Sequence, residues 1–73
     1  MLMRVLKVIE LVGTSPNSWE EATKNAVDKA AETLRGIVGG DVVGQNVVVK
    51  DGGITEYRVD VKVAFLVEEG GVG

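Results

Sequence analysis

From Glu56 to Val67 the chain alternates strictly: Tyr57, Val59, Val61, Val63, Phe65 and Val67 fall on one face, and Glu56, Arg58, Asp60, Lys62, Ala64 and Leu66 on the other. A period of two is the signature of a strand covered on one side. Met3–Val12 (MRVLKVIELV) is rich in Val and Leu and carries only three charges, which predicts a strand with both faces at least partly covered. Gly13–Ser18 is turn chemistry, and Ser18 followed by Glu21 has the spacing of a capping box that opens a helix. Trp19, Ala22, Ala26, Ala30, Leu34 and Ile37 then recur at helical spacing, predicting an amphipathic helix over 19–37 with an alanine seam that lets it approach a sheet closely. Glu20 and Lys24 make a favourable pair one turn apart on it. Gly36, Gly39 and Gly40 read as its stop and a connection. Val42–Lys50 reads as a second strand, Asp51-Gly52-Gly53 as the tight turn into the third, and 69–73 as a disordered tail.

Three strands and one helix make an α+β layer in which the helix covers one sheet face and leaves the other open, as a single domain over 1–73. Composition sharpens this. A chain of 73 residues is marginal as a monomer, and without cysteine or histidine neither a disulfide nor a zinc site can supplement its core. Self-association is what remains. With one Trp, one Tyr and one Phe, the core is aliphatic. The net charge of -3 and the scattered basic residues argue against nucleic acid as a partner. No long apolar run, leader peptide or basic amphipathic helix points to a membrane, so a cytoplasmic location is expected.

Lack of His and Cys also removes every side chain whose ordinary pKa lies near neutrality, and the expectation is a non-enzymatic protein. Gly13-Thr14-Ser15 lacks the spaced glycines and lysine of a phosphate loop, so a turn leading to a cap is preferred. Trp19 is expected to anchor helix to sheet or subunit to subunit. The ladder Glu56, Arg58, Asp60, Lys62 has two readings, a solvated sheet surface or the polar wall of a cavity shared between subunits.

Three blocks carry a family resemblance: Lys7–Glu20 (KVIELVGTSPNSWE), Ala30–Arg35 (AAETLR), and Tyr57 with Val61, Val63 and Phe65. Together they resemble dodecin, over about residues 5–66. The resemblance implies a βαββ subunit whose three-stranded antiparallel sheet partly wraps its helix. It also implies a hollow homododecamer with helices outward and sheets inward, which stores or quenches flavins such as riboflavin or FMN rather than using them in turnover. In the family's flavin-binding members the ring stacks on a Trp just before the second strand and is hydrogen-bonded by a Gln on the third strand.

Both positions depart here. The stacking Trp falls on Gly39 and the Gln falls on Arg58, leaving Gln45 as the nearby amide. Stacking on an aromatic ring is worth about 1–3 kcal/mol, so its loss weakens flavin binding roughly ten- to a hundredfold. Arg58 presents a fork of donors suited to a phosphate or carboxylate, or to pairing with Asp60 or Glu56 of a neighbour. A calcium ion is the alternative ligand, because oxygen donors suffice for it. Glu10, Asp41 and Asp60 are its candidate donors, although no loop has the spacing of a dedicated calcium motif. The resulting expectation is a dodecin-like storage or sequestration protein with a lost or remodelled flavin site, with a cation-binding or purely structural shell as the alternative.

Overall fold

A computed structural model describes residues 3–70, with side chains over 4–67. Its element order is the expected βαββ: β1 (Met3–Ser15), α1 (Trp19–Ala31), β2 (Ile37–Lys50) and β3 (Gly53–Gly70). The strands form one antiparallel sheet in the order β1-β3-β2, so the longest and most regularly alternating strand lies in the centre. A turn with positive φ at Asp51 (50°) and Gly52 (78°) joins β2 to β3. Two successive positive φ angles match the right-handed twist of the flanking strands.

Helix α1 starts where the cap predicts, with the Ser18 hydroxyl accepting from the Glu21 amide. Only half of the capping box forms. The Glu21 carboxylate turns instead to the Ser15 hydroxyl (2.6 Å) and the Asn17 side-chain amide (2.9 Å). Ser15 is buried and its hydroxyl also accepts from the Asn17 amide at 2.9 Å, tying the end of β1 to the helix start. The expected Glu20–Lys24 pair is replaced by Lys24–Asp28 at 2.7 Å.

The helix is shorter than the periodicity predicts. It ends at Ala31, followed by a turn in which Thr33 and Leu34 donate to the Ala30 carbonyl and Gly36 takes a φ of 72°. Leu34 and Ile37 still pack against the core, but from the turn and from β2. Gly39 and Gly40, read as a connection, are strand residues paired with Ala64 and Val63. The expected tail also shortens, since Glu69 and Gly70 pair with Arg4 and Met3, while 71–73 lie outside the described residues.

The core is an alanine seam on a valine stripe. Ala22, Ala26 and Ala30 of α1 meet Val59, Val61 and Val63 of β3, all buried, with Ile9 and Leu11 of β1 beside them. Gly13 lets the helix come this close. A methyl group there would collide with the Ala22 carbonyl oxygen and stand 2.9 Å from the Ala26 Cβ. One register irregularity in β1 and three in β2 add local twist, curving the sheet about the helix.

The helix spans about 20 Å, whereas the molecule is 59 Å long. Both sheet ends therefore extend beyond it. Among the described residues eleven large hydrophobics remain exposed, including Val12 (62%), Val8 (54%) and Leu6 (47%), whereas the buried core consists of three valines and three alanines. A single subunit does not finish its own core. No helix among the described residues is long and apolar enough to cross a membrane.

Candidate functional site: the open face of the sheet

Because Val59, Val61 and Val63 face the helix, the residues between them face away from it, and the strand register builds this open face row by row. Thr14, Arg58 and Asn46 form one row across β1, β3 and β2; Val12, Asp60 and Gly44 form the next. Glu10, Lys62 and Asp41 follow, and then Val8, Ala64 and Gly39. The charged ladder thus gives way to an apolar end, and Gly39 lies at that end. A side chain at Gly39 would meet nothing within 4 Å.

Gly39, Gln45 and Arg58 do not converge within one subunit. Gly39 is level with Ala64, six residues along β3 from Arg58, a separation of about 20 Å at the rise of a strand. Gln45 pairs with Val59 and so lies on the helix side of the sheet, opposite to Arg58. The Arg58 guanidinium is held by its own chain, its Nε donating to Glu56 Oε2 at 2.9 Å.

The three acidic candidates are only partly gathered. Glu10 and Asp60 are diagonal neighbours across β1 and β3, while Asp41 is on the far side of Lys62. Among the described residues no three acidic, His or Cys side chains are grouped to hold a metal ion. The Glu10 carboxyl is held above its ordinary range first by its hydrogen bond to Asp60, then by the negative charge there and by burial, with Lys62 opposing. Asp60 is half-buried, and its Oδ1 is buried without a hydrogen-bond partner.

No aromatic ring faces this side. The Trp19 indole donates to the Asn46 carbonyl at 3.1 Å and stacks edge-on against Tyr57, with centroids 5.2 Å apart, which makes it the expected helix-to-sheet anchor. Phe65 is level with Lys7 and Ile37 on the helix side. The sequence holds no further aromatic residue.

One concavity was not foreseen from the sequence. An open groove of about 320 Å³ runs between β1 and α1, lined by Leu11, Gly13, Thr14, Asn25, Ala26 and Lys29 among others. Asn25 donates to the Thr14 carbonyl at 3.0 Å beside it. None of the expected site residues lines it.

Comparison with known proteins agrees with this geometry. The Dodecin family model matches residues 5–68. The calcium dodecin of Mycobacterium tuberculosis is 40% identical over 63 residues, covering 86% of this chain and 89% of that protein. The solved dodecin of Streptomyces coelicolor superposes with a TM-score of 0.86 at 34% identity, covering 89% of this chain and 93% of that one. The M. tuberculosis calcium dodecin structure, described as having a novel calcium-binding site, superposes with a TM-score of 0.78 at 38% identity, covering 88% and 91%. The chain belongs to the dodecin family of small-ligand-binding proteins.

Proposed function

We propose that this chain is a non-enzymatic storage or sequestration protein that works as a hollow homododecamer in the cytoplasm, with its open sheet faces inward and its flavin site remodelled. The observation that carries this reading is the open face itself, apolar at one end, charged at the other and without an aromatic ring. A flavin ring needs a flat partner for stacking, and where the family's Trp would stand this chain has Gly39 and open space. The residues present therefore do not fit the family's flavin site. A ligand held by hydrogen bonds and charge, through Arg58 or Lys62, suits the face better.

The eleven exposed large hydrophobics support assembly, since covering them completes the core that one helix leaves unfinished. Non-enzymatic binding is supported by the absence of His and Cys. A second reading, divalent-cation binding, is favoured by the relation to the M. tuberculosis calcium dodecin. In this chain it requires donors from more than one subunit, because the described residues of one subunit do not group three together.

Light scattering coupled to size exclusion tests the assembly, with an expected mass close to twelve times the 7.7 kDa subunit. A monodisperse monomer or dimer at micromolar concentration would overturn it. Mass spectrometry of small molecules released from the purified shell then separates storage, which leaves a stoichiometric ligand, from a purely structural shell, which leaves none.

A further inference from the structure

Strand β2 is the least finished element of the subunit. It carries six valines, yet none of its residues is buried, and Val38, Val42, Val43 and Val49 are exposed. It is also an open edge: β3 pairs with one side of it, and among the described residues no strand pairs with the other. The β1 edge differs, because α1 leans over β1 and its Asn25 donates to the Thr14 carbonyl at 3.0 Å. The Leu66 amide donates to the Gly36 carbonyl at 2.9 Å, so even-numbered residues of β3 from Glu56 to Leu66 turn their backbone groups to β2 and odd-numbered ones to β1. Gln45 and Val47, level with Val59 and Tyr57, therefore point their N–H and C=O groups out past the free edge. Such an edge is a template for one more strand.

Charge and register identify the strand that fits. Asp41 and Lys50 are the only charged residues of β2, and among the described residues neither is in an ion pair. We propose that β2 pairs antiparallel with β2 of a second copy about a two-fold axis at Asn46, making one continuous six-stranded sheet. Asn46 then faces itself, Gln45 faces Val47 and Gly44 faces Val48. With Val43 skipped as it is in the pairing with β3, Val42 faces Val49 and Asp41 faces Lys50. Asp41, Gly44, Asn46 and Val48 are on the open face and Val42, Gln45 and Val47 on the helix side; Val49 and Lys50 continue the alternation. Every pair thus joins residues of one face, and both charges are matched twice because the contact is isologous. This pairing rests on the reading that the chain self-associates, and it names the surface through which it does so. It also makes the open-face site a shared one, since the row Thr14, Arg58, Asn46 runs on into Asn46 of the partner subunit and Arg58 of the partner subunit.

The chain has no cysteine, so a single introduced cysteine links only to its own counterpart. In assembled protein under mild oxidation, Asn46→Cys is expected to give a disulfide-linked dimer, a band at twice the 7.7 kDa subunit mass. A residue facing itself across a two-fold in a non-hydrogen-bonded pair is within disulfide reach. Thr14→Cys, in the same row at the far edge, is expected to stay unlinked. Amide exchange on the native protein supplies a reading that needs no variant: Gln45 and Val47 are expected to exchange as slowly as Asn46, whose N–H faces β3. Light scattering on the same samples separates the two levels of the account. Fast exchange at Gln45 and Val47, or linking at Thr14 in place of Asn46, in protein that is assembled overturns the β2 pairing and leaves self-association standing. A monodisperse monomer overturns both.

Discussion

Replacing Gly13 with alanine tests how this fold closes. The new methyl group would overlap the Ala22 carbonyl oxygen and lie 2.9 Å from the Ala26 Cβ and 3.0 Å from the Ala22 carbonyl carbon. Carbon atoms in contact normally sit about 3.5–4.0 Å apart, so α1 must lift by roughly 1 Å or β1 must buckle. A gap of that size forfeits a quarter to a half of each contact's attraction, and it opens along the seam of Ala22, Ala26 and Ala30 on Val59, Val61 and Val63. Overpacking of this kind costs about 3 kcal/mol. In a chain this short that lowers the melting temperature by roughly 12–24 °C. Thermal unfolding followed by circular dichroism reads it, with Gly39→Ala as the control, since nothing lies within 4 Å of a Cβ there. The control is expected within about 0.5 kcal/mol of native. Gly13→Ala melting within a few degrees of native would refute the close approach of helix and strand.

Other consequences can be checked on the same instruments. Ser15→Ala removes the hydroxyl that donates to Glu21, the largest reason its pKa is lowered. Because a lowered carboxyl pKa stabilises the fold above the unfolded value and is lost on acidification, this variant is expected to lose part of the native protein's gain in stability between acid and neutral pH; an identical pH profile would contradict it. Gly52→Ala places a side chain at a φ of 78°, costing roughly 1–2 kcal/mol, read as a lower denaturant midpoint; an unchanged midpoint argues against the turn. Trp19→Phe removes the indole donor to the Asn46 carbonyl and is expected to cost about 1 kcal/mol, whereas a neutral result would remove Trp19 as the anchor.

The legible parts of this fold were those where local pattern and global packing agree. The β3 alternation identified Val59, Val61 and Val63 as the helix-facing set, and all three are buried. The alanine seam likewise marked the face of α1 that packs. The helix end was misread because Leu34 and Ile37 keep helical spacing, although they reach the core from a turn and a strand. Nothing local marks that exchange except Gly36. Strands β1 and β2 extend into segments that read as turns and connections, since Gly13, Thr14, Ser15, Gly39 and Gly40 all find partners on the long central strand. Pairing overrode propensity there.

Site residues were harder to place because register is a property of two strands. A one-residue slip moves every side chain to the other face. That is why Gln45 was grouped with Arg58 although they lie on opposite sides of the sheet. It is also why the diagonal placement of Glu10 and Asp60 on one face, fifty residues apart in sequence, appeared only once β1 was set against β3. What the sequence did offer, through the family resemblance, was the expectation that Gly39 stands where flavin-binding members carry a stacking ring.

The proposed loss of tight flavin binding follows from an open face without an aromatic ring. A fluorescence-quenching titration of riboflavin and FMN compares the native protein with the Gly39→Trp, Arg58→Gln double variant. Weak binding by the native protein and a gain of roughly ten- to a hundredfold in the variant are expected. Submicromolar binding by the native protein, or no gain in an assembled double variant, would contradict it.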